Sequence, residues 1–379
     1  MATKDFPIRI LHVIGVLNRG GAETMIMNLY RSMDRTKVQF DFVENEGDEA
    51  AFDAEIRQLG GRIYHCPRYK GLNHFAYERW WNDFFKSHRG EYPIVHGHIG
   101  STAAIYLSIA KKYGAYTIAH SHNTNAKKSA RNCAYSALSY PTRYIADHFF
   151  TCSYAAGVDR FGTKIGSDPS KCKIFHNAID CQRFLYNQNV RTIVRQQLGI
   201  EEKTFVIGNV GRFAPQKNHS FLLDIFIEIK RRSDNAILLL LGDGAIRDEI
   251  EEKIKKNSLQ DSVILAGVQS EVAPYYQAMD VFVFPSLYEG LPVSLVEAQA
   301  AGLHCCVSSN VPSDAAITDL VEFIPLEYGA ERWAEIAVNR AQEPRENMLC
   351  AIQSAGFDVA STAKWLEDFY IGVAANRGE

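Results

Sequence analysis

The pattern that most constrains this chain is a short apolar run followed by residues at helical spacing, repeated in two successive series. In the first series apolar runs stand at 8–16, 40–43, 63–65, 94–98, 116–120 and 148–152. After the first of them Asn18-Arg19-Gly20-Gly21 forms a glycine turn, and Ala22, Met25, Ile26, Leu29 and Met33 then recur on one helical face. The second series has runs at 205–210, 236–241, 263–266, 281–285 and 304–308, and Phe221, Leu222, Ile225, Phe226 and Ile229 predict a helix over 218–232. Strands alternating with helices imply parallel sheets covered by helices.

A chain of 379 residues is too long for one ordinary core and suits two domains with a cleft between them. The polar, arginine-rich stretch 180–199 separates the two series and reads as the hinge. The expected organisation is an N-terminal Rossmann-like domain over 1–185, a C-terminal one over 186–358 and a final helix over 359–379. Trp365, Leu366, Phe369 and Tyr370 on that helix suit either the second domain or packing back on the first.

With 46% apolar residues, 22% charged residues and a net charge of −3, the chain reads as a soluble globular protein without the field that holds nucleic acid. The stretch 1–9 has charged and polar residues and no small-residue cleavage site, so no secretory signal is expected. No segment reaches the roughly 18 to 20 apolar residues of a membrane helix. Eight cysteines without a C-x-x-C pair read as reduced core thiols, and the expected location is cytoplasmic.

The most informative stretch is Ser286-Leu287-Tyr288-Glu289-Gly290-Leu291-Pro292-Val293-Ser294-Leu295-Val296-Glu297-Ala298, a turn and helix after a buried strand. Pro292 suits the first helical position, which leaves the amides of Val293 and Ser294 free at the positive end of the helix dipole, a seat for a diphosphate. Glu289 at the turn and Glu297 more than one helical turn on are too far apart for an acid/base pair. They suit different hydroxyl-rich parts of one extended ligand. Arg212 and Lys217, in Gly211-Arg212-Phe213-Ala214-Pro215-Gln216-Lys217-Asn218, can close on one diphosphate from a strand end.

His120-Ser121-His122-Asn123 ends a strand of the first series, where a parallel sheet presents its binding groups. Alternation points His120 and His122 the same way, so pattern alone leaves both as candidates. The pairs His96/His98 and His120/His122 raise a rival reading as a metal site. No D-x-D occurs and no carboxylate is placed to complete such a site, so no metal is expected.

These motifs resemble the family 4 retaining glycosyltransferases over nearly the whole chain, most closely the bacterial members that build capsular and extracellular polysaccharides. The paired glutamates in Glu-Gly-Leu-Pro-Val-Ser-Leu-Val-Glu-Ala carry the resemblance. It implies the GT-B fold, two Rossmann-like α/β domains whose parallel sheets face each other across the cleft, acceptor on the first and donor on the second. It also implies that Glu289 contacts the donor sugar, with Gly290, Leu291 and Val293 beside it, and that Glu297 contacts the ribose. Arg212 and Lys217 become the donor-phosphate residues, and Gly20 and Gly21 the loop where the backbone approaches phosphate and sugar. Gly244, in Gly242-Asp243-Gly244, falls beside the nucleotide and Val268 at the base. The resemblance favours His122 over His120 as the imidazole near the sugar, and places Lys127 near the phosphates or acceptor. Leu303-His304-Cys305-Cys306 departs from relatives that place a proline after the leucine.

The function expected is transfer of a hexose-type sugar, with retention and without metal or cofactor, from a nucleotide diphosphate sugar, UDP-linked by resemblance, to a glycan or lipid-linked acceptor. A sugar-nucleotide epimerase of the same fold and a non-catalytic sugar-nucleotide binding protein are the alternatives. Lys111, Lys112, Lys127, Lys128, Arg131 and Arg143 lie near Tyr135, Tyr140 and Tyr144, a basic surface that suits either peripheral contact with the inner face of a membrane or a solvated face. The oligomeric state is not written in the sequence.

Overall fold

In the computed structural model, which describes residues 7–18, 20–45, 47, 49–122 and 136–377, the chain divides into two compact units. Unit one comprises Met1–Ala178 and Val359–Glu379, and unit two Ile179–Asp358.

Unit one is built on a parallel sheet of β1 (Ile8–Val13), β2 (Val38–Glu44), β3 (Ile63–His65), β4 (Ile94–Gly97), β5 (Tyr116–Ser121), β6 (His148–Thr151) and β7 (Cys172–Ile174). Its strand order is β3-β2-β1-β4-β5-β6-β7. Unit two carries β8 (Phe205–Val210), β9 (Ala236–Leu241), β10 (Val263–Gly267), β11 (Val281–Phe284), β12 (Cys305–Ser308) and β13 (Val321–Ile324), ordered β10-β9-β8-β11-β12-β13 and again parallel. Helices cover both faces of such sheets, so β2 and β11 are buried along their whole length; β11 reads as an unbroken apolar run, whereas β2 also buries Gln39, Asp41 and Glu44. Two of the four edge strands, β7 and β13, are short and half exposed, and no apolar run marks them.

In each sheet the order reverses beside one central strand, β1 against β4 and β8 against β11. The carboxyl ends of these strands flank the crevice where open α/β sheets bind ligands.

The stretch 180–199 is not a linker. It forms helices Cys181–Phe184 and Gln188–Gln197, and the break between units falls earlier, between Ala178 and Ile179. Its arginines look like solvated charge, yet the Arg195 side chain is 1% exposed, donating to the carbonyl oxygens of Ala278, Glu201, Glu202 and Thr204 and pairing with Asp280 at 2.8 Å. The last helix, Val359–Ala375, belongs to unit one: Val359, Ala363, Leu366 and Tyr370 are buried in one core with Met25, Phe40, Ile94 and Phe150.

Candidate functional site

In unit two the predicted donor residues gather where β8, β9, β10 and β11 end. The 211–218 loop after β8 is fastened to the 285–289 loop after β11: Leu287 N–H donates to the Gln216 carbonyl at 2.8 Å, Gln216 Nε2 to the Tyr288 carbonyl at 2.9 Å, and Asn218 Nδ2 to the Pro285 carbonyl at 3.2 Å. Asn218 holds a left-handed backbone (φ 56°), a conformation asparagine tolerates better than most residues, and so turns the loop into helix His219–Arg232. The result of this stitching is an ion pair across the two loops, Lys217 Nζ to Glu289 Oε1 at 2.8 Å, with the two side chains 16% and 8% exposed. The ammonium also lies 4.6 Å from the Phe284 ring centre. Arg212 is exposed on the same loop and, among the described residues, has no ion-pair partner, so its guanidinium is available to an anion.

Helix Val293–Ala300 starts one residue later than the sequence suggests, with Pro292 as its N-cap. Leu295 N–H returns to the Pro292 carbonyl at 3.1 Å, while the amides of Val293 and Ser294 make no backbone hydrogen bond among the described residues. Gly290 and Leu291 precede this end, and a side chain added at Gly290 would meet open space. Glu297 is not a solvated helix residue. Tyr276 Oη donates to its Oε2 at 2.8 Å, and burial pushes its carboxyl up to about 7, against the lowering effect of that hydrogen bond.

Gly242 (φ 134°) and Gly244 are required by close approach: a Cβ at Gly242 would strike the Gly211 carbonyl and one at Gly244 the Phe213 carbonyl. They let the loops after β8 and β9 touch along their backbones, through Gly211 N–H to the Leu241 carbonyl and Phe213 N–H to the Asp243 carbonyl, both 2.9 Å. Val268 follows β10 and is 76% exposed, an apolar side chain left open at the end of the same sheet.

In unit one Gly20 is the N-cap of helix Gly21–Ser32, with an ordinary φ of −108°. Glycine is therefore not needed there for its backbone freedom. A Cβ at Gly20 would strike the Glu23 carboxylate, whereas Gly21 faces open space. His122, just after β5, is only part buried, while His120 is 4% exposed and bonded inward through Nδ1 to His96 Nε2 at 3.1 Å. The geometry thus separates two histidines that the sequence pattern leaves equivalent.

The structure adds a residue the sequence reading missed, His12 on β1. Its Nδ1 lies 3.0 Å from His98 Nε2, and His98 Nδ1 lies 2.8 Å from His122 Nε2. Two trios, His12/His96/His98 and His98/His120/His122, each bring three nitrogens within 4.8 Å of one another, a spacing within reach of a metal ion. Burial holds all five imidazoles neutral: His12 is pushed down to about 3, His122 to about 4, and His96, His98 and His120 well below the usual histidine value.

Lys127, Lys128, Arg131 and Tyr135 lie outside the described residues. Of the other basic residues near them, Lys111 pairs with Asp147 at 2.6 Å, and Arg143 donates to the Arg160 carbonyl while stacking over Tyr140 at 4.7 Å. Lys112 is exposed. No described helix is long and apolar enough to cross a membrane.

Comparison with known proteins bears on the family and the fold. Residues 19–183 match the model described as Glycosyltransferase Family 4, and residues 190–321 the model described as Glycosyl transferases group 1. The "Putative glycosyltransferase EpsF" of Bacillus subtilis (strain 168) is 35% identical over 96% of each chain. The "Capsular polysaccharide biosynthesis glycosyltransferase CapH" of Staphylococcus aureus is 24% identical, covering 96% of this chain and 99% of its own. In fold, the crystal structure of Anabaena HepE in complex with UDP superposes with a TM-score of 0.69 at 16% identity, over 97% of this chain and 98% of that one. The chain belongs to the family 4 glycosyltransferases and has the two-sheet α/β architecture of the GT-B fold.

Proposed function

We propose that this glycosyltransferase moves a hexose-type sugar, with retention and without a metal ion, from a UDP-linked donor to a glycan or lipid-linked acceptor in surface polysaccharide synthesis. The observation that carries the reading is the convergence, at the ends of β8 and β11, of an unpaired arginine, the Lys217–Glu289 pair and two free helix-terminal amides. Two cations and a helix N-terminus can offset the charge of a departing diphosphate. CapH, named for capsule synthesis, and HepE, crystallised with UDP, support the polysaccharide and UDP parts.

In this reading Arg212, Lys217 and the Val293 and Ser294 amides hold the diphosphate, Glu289 the sugar, Glu297 the ribose, and Val268 and Gly244 flank the base. In unit one, taken by itself, Gly20, Gly21 and His122 are the residues assigned to phosphate and sugar. None of the assigned carboxylates is free to act as nucleophile: Glu289 is held by Lys217 and Glu297 by Tyr276. The scheme that fits is front-face substitution, in which the sugar–phosphate bond loosens, the acceptor hydroxyl attacks from the same side, and the leaving phosphate oxygen takes its proton.

The test is a thermal-shift and hydrolysis screen with UDP, GDP and ADP and their common sugars, with and without EDTA. A shift with UDP that survives EDTA, with slow release of free sugar, is expected. A shift that EDTA abolishes would overturn the metal-free reading and return attention to the histidine trios. Epimerised nucleotide sugar in place of free sugar would replace transfer by epimerisation.

A further inference from the structure

Five imidazoles of unit one, His12, His96, His98, His120 and His122, lie in two hydrogen-bonded rows. One runs His12–His98–His122 through Nδ1···Nε2 contacts of 3.0 and 2.8 Å. The other runs Tyr370–His96–His120, with Tyr370 Oη 2.6 Å from His96 Nδ1 and His96 Nε2 3.1 Å from His120 Nδ1. The rows lie face to face: His96 stacks on His98 with ring centres 4.4 Å apart, and His120 on His122 at 4.1 Å.

A neutral imidazole has one N–H and one lone pair, so two of them bond only when the N–H of one meets the lone pair of the other. Both links of the first row join Nδ1 of one ring to Nε2 of the next. All three rings must therefore carry the proton on the same nitrogen. The buried end decides which. Among the described residues His12 Nε2 has no hydrogen-bond partner, and its ring lies 4.1 Å from that of Phe40. Protons on Nε2 throughout would strand an N–H donor there; protons on Nδ1 leave only a lone pair, the less costly orphan.

In the second row Tyr370 decides. If its hydroxyl donates to His96 Nδ1, then His96 and His120 both carry Nε2–H. If it accepts instead, its own proton is left without a partner among the described residues, while His120 Nε2 carries only a lone pair. His120 borders a cavity of about 60 Å³ also lined by Ser139 and Thr142, wide enough for a hydrogen-bonded water to receive its Nε2–H. The stacked rings, tilted by only 23° and 24° within the two pairs, aim their lone pairs side by side, which serves these rows better than convergence on one metal ion.

We infer that His12 and His98 are positioning residues that fix His122 as an Nδ1–H donor, while Tyr370 fixes His96 and His120 in the opposite tautomer. His122 then offers the ligand an N–H for a hydroxyl or phosphate oxygen and no lone pair for a proton. The identity of that ligand rests on the glycosyl-transfer reading; the tautomers do not.

Long-range ¹H–¹⁵N correlation spectra of the full-length protein with ¹⁵N-labelled histidine, at neutral pH, read the tautomers directly. The expected result is Nδ1–H at His12, His98 and His122 and Nε2–H at His96 and His120. In His98→Leu, His122 should lose its single-tautomer pattern while the far-UV spectrum is kept. Overturning results are mixed tautomers within the first row of the wild-type protein, an Nε2–H at His122, or a zinc titration that shifts all three nitrogens of a trio together. If the tautomers hold and no sugar nucleotide binds, only the glycosyl-transfer reading fails.

Discussion

The Lys217 ammonium bridges from the loop after β8 to Glu289 Oε1 at 2.8 Å, so a residue assigned to the leaving phosphate and one assigned to the sugar are already joined. The two should nevertheless respond differently. Lys217→Met removes a cation and leaves a carboxylate that is 8% exposed without its partner, and UDP affinity is expected to fall about tenfold or more, the loss of one charge-assisted hydrogen bond. Glu289→Gln should hold UDP within a few-fold and lower kcat by about two orders of magnitude, as for loss of a group that acts on the transition state. Calorimetry with UDP beside steady-state rates separates them; equal losses of binding in both would remove the separate role of Glu289.

Acid should unfold unit one early. The folded-state values of His12 and His122, about 3 and about 4, lie below the ordinary value of 6.5, so below that pH the unfolded chain takes up protons that the fold refuses. The stability is complete above about pH 6.5 and is lost as pH falls toward 4, at up to about 1.4 kcal/mol per pH unit for each such histidine. Urea midpoints at pH 7.5, 5.5 and 4.5 should fall steeply, and less steeply in His12→Leu. A flat profile would show that these imidazoles protonate in place.

Glu297 has the opposite sign. Its carboxyl is raised to about 7 by burial, so its share of stability is full below its ordinary 4.5 and is lost as pH rises through 7. Glu297→Gln keeps an acceptor for Tyr276 Oη and discards the charge. At pH 8 the ligand-free variant should be more stable than wild type, by about 1 kcal/mol or more. If the carboxylate meets the ribose, the same variant binds UDP more weakly, so a thermal-shift experiment with and without UDP should show the two effects in opposite directions.

Arg195→Met tests the boundary helix. It removes one partner of an ion pair and four carbonyl contacts at a side chain 1% exposed, and should cost about 3 kcal/mol or more. Chemical denaturation followed by a unit-two tryptophan, Trp333, would register it. A loss under 1 kcal/mol would mean that the arginine is replaceable packing.

Central strands and the positions of the loops after β8 and β11 were legible because their physics is local. A strand buried on both faces, such as β9 or β11, is mostly apolar, and a cation or a proline-led helix start at a strand end is visible in the residues themselves. The stretch 180–199 was read as a hinge from its polar, arginine-rich composition because Arg195 is satisfied by carbonyl groups at 201–204 and at Ala278, which sequence order does not bring together. His12 was missed for a related reason: a single histidine in an apolar strand is unremarkable until β4 and β5 place His98 and His122 beyond it. Glu297 was placed on the correct helix, but its raised carboxyl comes from burial, and the Tyr276 hydroxyl that partly offsets it is 21 residues away on another helix.

The membership of helix Val359–Ala375 in unit one makes the 180 residues of Ile179–Asp358 an insertion in that unit's chain. During synthesis the first 178 residues leave the ribosome without the strip of core that Val359, Ala363, Leu366 and Tyr370 will cover, and without the hydroxyl that meets His96. Unit two, continuous in sequence, can close first. The Tyr370–His96–His120 row is then completed only when the last helix docks, so a chain cut short before it would expose apolar surface and lack a fixed tautomer at His96 and His120.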